Sequence, residues 1–549
     1  MYKDFYWLNE DSRKFMSRGY LLEGVTPEER IRQIADRFEE LDGEKGIGDK
    51  FYSYMAKGYI SLATPVWCNY GLKRGLPISC FGAEVQDDTA DILRTAAEIG
   101  MLSKHGGGTA GYFGKIRGRG EPISGGGETN GSVAFMEIFN TLMEIISQGS
   151  SRRGSFAAYL PIDHPDYLEF LTIRNEESPI QNLSMGVTIS DDWFQSMLDG
   201  DEDKQELWAA TLEKKSETGY PYFFFSDNVN NNRPQVYKDK DMIIKTSQLC
   251  SEILEYTSED KTFTCCLSSV NLLHFDEWKN TDLVRVMTRF LDTVLTEFIE
   301  KAKDIPFLEK AVKFAEEHRS IGLGVLGLHS YLQANMIPFD SLQTKMLLNQ
   351  MFTFINQESL AASIDLATEK GEPKILEGYG LRFSTRLAIA PTTSSSFILG
   401  QVSPSIEPLA ANYFVKDVAK GKFPYKNPFL VELLKEKGKN TATVWRSILK
   451  KDGSVQHLEF LSDIEKEVFL TFGEISQLGI VQNAAIIQKY VDQGISLNTM
   501  IHPDTPVRDI NALIIEAWKL GIKTMYYQRS TNKAQELGRN LMTCASCEG

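Results

Sequence analysis

Ser247-Gln248-Leu249-Cys250-Ser251-Glu252-Ile253-Leu254 carries an amide, a thiol and a carboxylate at alternate positions. In an extended segment successive side chains point to opposite faces, so Gln248, Cys250 and Glu252 share one face. Such a face suits hydrogen transfer or general-base work, because a carboxylate beside bound substrate can take a hydroxyl proton. A helical reading instead buries Leu249 and Ile253 and leaves Cys250 an inert small hydrophobe. These eight residues alone leave both readings open.

Working outward, two more cysteines lie in short β-prone segments flanked by small polar residues. Cys80 sits in Pro77-Ile78-Ser79-Cys80-Phe81-Gly82, and Cys265 in Phe263-Thr264-Cys265-Cys266-Leu267-Ser268. Each thiol is placed to line a strand-built pocket. Cys68 and one of the vicinal pair read as buried, inert thiols. Near the C-terminal end, Cys544-Ala545-Ser546-Cys547 is half of a zinc site, a redox dithiol, or an accident of composition. A structural zinc site needs two more ligands, and no second C-x-x-C or close Cys/His pair occurs, which favours the dithiol. At roughly 3.3 Å per extended residue, a polar tail carries these thiols tens of ångströms. The adjacent Tyr526-Tyr527 offers a path for oxidising equivalents, or else an aromatic pair in the core.

The chain has 549 residues, several times the usual domain size, with 42% hydrophobic and 24% charged residues, the balance of a soluble enzyme. No apolar run is long enough to cross a bilayer, and Met1 to Trp7 lacks a secretory pattern, so the expected location is cytoplasmic with no membrane contact. A net charge of -15 argues against nucleic-acid binding. In a reducing compartment the seven cysteines are expected to be free, catalytic or metal-bound.

Thr26-Pro27-Glu28-Glu29 is a capping box with proline at the first helical position, followed by Ile31, Ile34, Ala35, Phe38 and Leu41 on one face. Residues 1–60 therefore read as a small helical region, 61–527 as an α/β body, and 528–549 as a flexible redox tail. His105 to Gly111 and Gly118 to Gly127 are Gly-rich, with Lys115, Arg117, Arg119, Arg152 and Arg153 nearby in sequence. They read as phosphate- or nucleotide-binding loops, although neither has a P-loop ending. Gly322-Leu323-Gly324-Val325-Leu326-Gly327 fits G-x-G-x-x-G but follows a helical pattern, so it reads as close helix packing. Pro391-Thr392-Thr393-Ser394-Ser395-Ser396 follows an apolar strand and makes an anion cradle at a strand-to-helix turn.

Taken in order, Ser79-Cys80, Ser147-Gln148-Gly149, Leu249 to Glu252, Cys265 with Leu267-Ser268, Pro391 to Ser396, Lys523 to Gln528 and the terminal cysteine pair resemble the large, catalytic subunit of class I ribonucleotide reductases. The resemblance covers most of the chain and implies a ten-stranded α/β barrel with a central finger loop. It implies that Cys250 becomes a thiyl radical that takes the 3'-hydrogen of a ribonucleoside diphosphate. Glu252 would deprotonate the 3'-hydroxyl, Gln248 would stand where an asparagine usually bonds the ribose, and Cys80 and Cys265 would end as a disulfide. Cys544 and Cys547 would reduce that disulfide and be reset by thioredoxin or a glutaredoxin-like protein.

By the same resemblance Tyr526 and Tyr527 pass a radical from a separate, metal-containing small subunit, and this chain itself holds no metal or cofactor. Thr64, Ser79, Gly108, Thr392, Thr393, Ser394, Ser395 and Ser396 would hold substrate phosphates. Asp87, Arg117, Gln148 and Arg152 would bind a deoxynucleotide or ATP specificity effector at a homodimer interface. The N-terminal region does not resemble the family's ATP-binding cone, so none is expected. Two other readings compete: an adenosylcobalamin-dependent reductase needing no partner, and an inactive nucleotide-binding regulator. The tyrosine pair speaks against the first, and the full cysteine set against the second.

Overall fold

Five strands, Cys80–Glu84, Gly108–Tyr112, Phe156–Pro161, Leu183–Ile189 and Tyr222–Phe225, lie side by side in that order, each parallel to the next. The computed structural model describes residues 3–146, 154–418 and 421–531, the side chains of 415–423 apart. Leu183–Ile189 and Tyr222–Phe225 are buried at every position, which is why both read as unbroken apolar runs rather than as alternating ones.

A second set runs differently. Phe263–Asn271 and Ile321–Leu326 pair in parallel over six residues. Beyond them single parallel bridges, Leu323 to Leu387 and Ile389 to Ile495, bring in two segments with no continuous ladder. Thr524–Met525 completes the set beside them, where the Tyr526 amide donates to the Leu497 carbonyl at 2.8 Å. Two antiparallel seams join the sets: Cys80–Gly82 against Phe263–Cys265, and Thr524–Met525 against Phe223–Phe224. Five staves thus face five, and the described residues close the expected ten-staved α/β barrel. Ile60–Leu62 adds an antiparallel strand outside the ring on Phe263–Asn271.

Sequence and structure part at two glycine-rich places. Gly322 and Gly324 lie in the buried strand Ile321–Leu326, not in helix packing. A Cβ on Gly322 would come within 2.4 Å of Leu267 Cδ2, and one on Gly324 within 2.6 Å of the Ala388 carbonyl oxygen, so glycine here lets neighbouring staves approach. His105 to Gly111, read as one phosphate-binding loop, is a loop only in its first half, because Gly108–Tyr112 is a strand.

The capping box forms as read: Thr26 and Glu29 cap each other at the start of Pro27–Asp42, which buries Ile31, Ile34, Ala35 and Phe38. With Glu10–Met16 and Ile47–Ala56 this helix packs on the outside of the barrel, where the rings of Phe38 and Phe290 meet edge to face at 5.3 Å. A small core of its own, around Leu430, Trp445, Ile448 and Phe469, was not legible in the sequence. No helix among the described residues is long and apolar enough to cross a membrane. Gln148, Arg152, Cys544 and Cys547 lie outside the described residues.

Candidate active site

Residues 247–254 enter the barrel as a loop closed by one antiparallel bridge between Ser247 and Leu254. The chain turns at Ser251, whose φ of 71° is left-handed, and the Ser251 amide donates to the Gln248 carbonyl at 3.3 Å. Both the strand and the helix readings of this segment give way to a turn. The shared face survives nonetheless, because Gln248, Cys250 and Glu252 all line the same cleft.

The loop is pinned from both sets of staves. Tyr159 donates its hydroxyl to the Gln248 carbonyl at 3.1 Å, and Thr524 donates to the Ser251 carbonyl at 2.8 Å. The Gly494 amide donates to the Glu252 carbonyl at 2.8 Å, and the Leu254 amide to Gln493 Oε1 at 3.1 Å. Ser496 Oγ lies between the Cys250 carbonyl and Glu252 Oε2, 2.8 Å from the latter. A hydroxyl has one proton, so Ser496 donates to only one of them at a time. Glu252 is buried, and burial pushes its carboxyl up to about 7 against the opposing pull of the Gln248 amide and the Ser496 hydroxyl. A carboxyl that changes charge near neutrality is what a proton-transfer role requires. Gln248 Oε1 accepts from Ser247 Oγ and the Ile253 amide, while its buried Nε2 has no acceptor in hydrogen-bonding geometry among the described residues.

The cleft encloses about 730 Å³ of atom-free space, its mouth included. Of the predicted phosphate residues, Thr64, Ser79, Gly108, Thr392, Thr393, Ser394 and Ser395 line it. Ser396 is not among the lining residues, and its hydroxyl donates to the Thr393 carbonyl at 3.0 Å. Thr392 is left-handed and opens the short helix Thr393–Ile398, so the strand-to-helix turn forms as read. Ser268, quoted above only as part of a motif, lines the cleft too, as do Ser61 and Ser269, which had no assigned role because a serine in a strand carries no signal of its own.

Cys80 and Cys265 face each other directly across the antiparallel seam. Opposed residues in such a pair have Cα atoms about 4.5–5.5 Å apart, inside the range a disulfide spans. The two thiols differ in access. Cys80 lines the cleft, whereas Cys265 is wholly buried and accepts from Gln493 Nε2 at 3.5 Å. Burial pushes the Cys265 thiol well up. Cys266 turns away, its Sγ 3.4 Å from the Leu291 carbonyl, and Cys68 packs in the core outside the cleft, both as inert thiols should.

Tyr526 is buried and Tyr527 partly exposed, with ring centroids 4.4 Å apart. Two tyrosines that sequence reading missed complete a cluster. The Tyr222 ring lies 4.6 Å from Tyr526 and 5.0 Å from Tyr527, and the Tyr220 and Tyr527 hydroxyls are 2.8 Å apart. Their signal was the aromatic run Tyr220 to Phe225, which meets Thr524–Met525 only through the fold. On the surface, Arg117 donates to Asp87 at 2.6 Å, so two predicted effector residues are paired.

A turn-borne thiol and carboxyl inside a ten-staved barrel, backed by an opposed cysteine pair, define a class of nucleotide-reducing barrels. The model of the ribonucleotide reductase barrel domain matches residues 78–204, 201–378 and 373–528. The ribonucleoside-diphosphate reductase large subunit of Invertebrate iridescent virus 3 is 33% identical over 92% of this chain and 91% of its own length. The large chain from Neurospora crassa is 30% identical over 95% of this chain and 65% of its own. The class Id ribonucleotide reductase alpha subunit of Actinobacillus ureae superposes with a TM-score of 0.93 at 54% identity, covering 98% of this chain and 100% of that one. The chain belongs to the ribonucleotide reductase family. Within it, the chain is a class I large subunit, the catalytic subunit of a ribonucleoside-diphosphate reductase. The cobalamin-dependent and inactive readings are thereby set aside.

Proposed function

We propose that Cys250 is the residue that abstracts the substrate's 3'-hydrogen and that Glu252 takes the 3'-hydroxyl proton while the 2'-hydroxyl leaves as water. Cys80 and Cys265 supply the electron pair: two thiols go to one disulfide, and one ribonucleoside diphosphate goes to its 2'-deoxy form plus water. The observation that carries this reading is that Cys250, Glu252 and Cys80 line one cleft while Cys265 stands behind Cys80 on the facing strand. The Gln248 amide, which opposes the rise of the Glu252 carboxyl, gives the cleft a buried donor that a ribose hydroxyl would meet beside the base. The diphosphate is assigned to Thr64, Ser79, Gly108 and the hydroxyls and amides of Thr392 to Ser395, with Ser396 supporting the turn.

The oxidising equivalent reaches Tyr527 from a separate small subunit and passes inward through Tyr526, an order that matches the exposure of the two rings. The similarity to a class Id alpha subunit makes a small subunit of that class the first partner to test. Cys544 and Cys547 are assigned the re-reduction of the pair, with thioredoxin or a glutaredoxin-like protein behind them. Asp87, Arg117, Gln148 and Arg152 are assigned to a deoxynucleotide or ATP effector at a homodimer interface, and the enzyme to the cytoplasm. The domain limits 1–60 and 61–527 are kept, and the tail read from 528 is moved outward, because Gln528–Ser530 pairs in parallel with Thr499–Ile501. The test is reconstitution of the full chain with candidate small subunits, the four ribonucleoside diphosphates and a dithiol, followed by alkylation mapping of the cysteines. Deoxynucleotide formation together with a Cys80–Cys265 disulfide is the expected result. Product formed while both thiols stay reduced overturns the assignment of the electron pair.

A further inference from the structure

Behind Cys265 lies a buried polar network that the reaction described above does not use. The ladder between Phe263–Asn271 and Ile321–Leu326 pairs Cys266 with Ile321, so one step further Ser320 falls opposite Cys265. Ser320 Oγ donates to Glu255 Oε1 at 2.5 Å and lies 2.7 Å from Thr385 Oγ1, which also donates to Oε1. Tyr237 donates its hydroxyl to Glu255 Oε2 at 2.6 Å. His318 Nδ1 is 2.8 Å from the Tyr237 oxygen, and Lys261 Nζ is 3.4 Å from His318 Nε2. Lys261 pairs with Glu317 at 2.7 Å, which in turn meets the exposed Lys374.

The direction of this chain follows from counting protons. The single Tyr237 proton goes to Glu255, so His318 must donate from Nδ1 to the Tyr237 oxygen, and its Nε2 accepts from Lys261. Every donor points inward, from the surface toward Glu255. Glu255, Tyr237 and His318 are fully buried. Burial pushes the Glu255 carboxyl up to about 7 against the pull of Ser320, Thr385 and Tyr237, and holds His318 well below its usual range, neutral and fit to relay rather than to store charge.

Resting on the assignment of Cys80 and Cys265 as the reducible pair, we propose that Glu255 supplies the proton Cys265 gains when their disulfide is reduced. The Ser320 hydroxyl is the bridge, and Tyr237, His318 and Lys261 are the route to the surface. Access fixes which sulfur is attacked. Only Cys80 lines the cleft, so the thiolate of an incoming dithiol bonds to Cys80 Sγ, the S–S bond breaks, and its electron pair leaves on Cys265. That thiolate is generated where charge is least tolerated. Protonated Glu255 donates to Ser320 Oγ, Ser320 donates to Cys265 Sγ, and the products are a Cys265 thiol and a Glu255 carboxylate. The second thiol of the dithiol then releases Cys80, and Glu255 regains its proton along the inward-pointing chain. Glu255 thus acts through Ser320 as a positioning and proton-relay residue.

The test uses the full chain. Disulfide formation between Cys80 and Cys265 on turnover with the small subunit is first established by alkylation mapping. The pair is then oxidised with diamide and its reduction by dithiothreitol is timed from about pH 6 to about pH 9, each rate divided by the reductant's thiolate fraction. In the unaltered chain the corrected rate is expected to fall as pH rises through about 7, as Glu255 loses its acid form. Glu255→Gln should slow reduction about 100-fold and abolish that fall, Ser320→Ala should slow it similarly, and Glu255→Asp should recover part of the rate. Besides Tyr237 and Cys265, Asp492 and Lys523 face Glu255 electrostatically from neighbouring staves, and all remain in these variants. Wild-type rate and pH profile in Glu255→Gln overturn the relay while leaving the reductase reading intact. A normal rate in Ser320→Ala overturns the bridge, and that variant decides the matter if Glu255→Gln does not fold. Failure of the unaltered chain to form the disulfide on turnover sinks the underlying reading instead.

Discussion

The two sets of staves differ in how completely they pair. From Cys80 to Phe225 five strands run as continuous parallel ladders, whereas from Arg386 to Leu497 the barrel wall has two single bridges and scattered backbone hydrogen bonds, such as those from Gln493 to Leu387 and from Ser496 to Ile389. The loosely paired wall is the one that serves the site. Gln493, Gly494 and Ser496 spend their hydrogen-bonding groups on the Cys250 loop, and Thr392 to Ser395 leave a strand-like segment to line the cleft. Gly494 gives its backbone amide to the loop, whereas Gln493 and Ser496 hold it through their side chains. The regular half lends Tyr159, Cys80 and Gly108 to the site, and the other supplies most of the loop's holds.

The division can be broken most sharply at its centre. Cys250→Ser should reduce turnover below detection in the reconstituted assay while the melting temperature stays within a few degrees, because a serine fills the same space without forming a radical at comparable cost. Glu252→Gln comes next, with kcat down about 10²–10⁴-fold. In the unaltered enzyme the acid limb of kcat/KM should rise with pH and level off above about 7, since the base form appears as the raised carboxyl ionises. That limb should vanish in the Gln variant, and its persistence would move the base elsewhere.

The regular half should answer in stability rather than in rate. A Cβ at Gly111 would lie 2.6 Å from the Phe156 ring, which packs on Phe113 and Phe139 away from the cleft, so Gly111→Ala should cost about 1–3 kcal/mol, read by denaturant unfolding. Smallest of all, Thr524→Val removes one hydroxyl from the Ser251 carbonyl and should cost about 1 kcal/mol of stability, yet shift kcat measurably because that carbonyl adjoins Cys250. Equal effects on rate from Gly111→Ala and Thr524→Val would erase the distinction between the halves.

Much of this was legible in the chain. The extended one of two open readings put Gln248, Cys250 and Glu252 on a common face, and β-prone neighbours put Cys80 and Cys265 on strands. What spacing could not give was the turn at Ser251, since a serine with positive φ leaves no mark in sequence and is imposed by donors 240 residues away, such as Ser496 and Gly494. The glycines of 322–327 misled for a related reason. They are set by how closely Leu267 and Ala388 approach, which is a property of the closed barrel and not of the local pattern. Glu255 sat only three residues from Glu252 and drew no notice, because its partners Tyr237, Ser320 and Thr385 come from three distant segments.

One hydrogen bond described above has a mechanical consequence. Thr524 grips the Ser251 carbonyl, two residues before Tyr526 and one after Cys250. Tyr526 in turn is anchored through its amide to Leu497, next to the Ser496 that touches the Cys250 carbonyl. Thiol and phenol are thus riveted to the same small triangle of chain. These bonds tie the backbone of Tyr526 to that of Cys250 by two independent routes, one through Thr524 and one through Leu497 and Ser496. Under the radical route proposed above, both ends of its last step would be fixed by local braces rather than by the barrel as a whole.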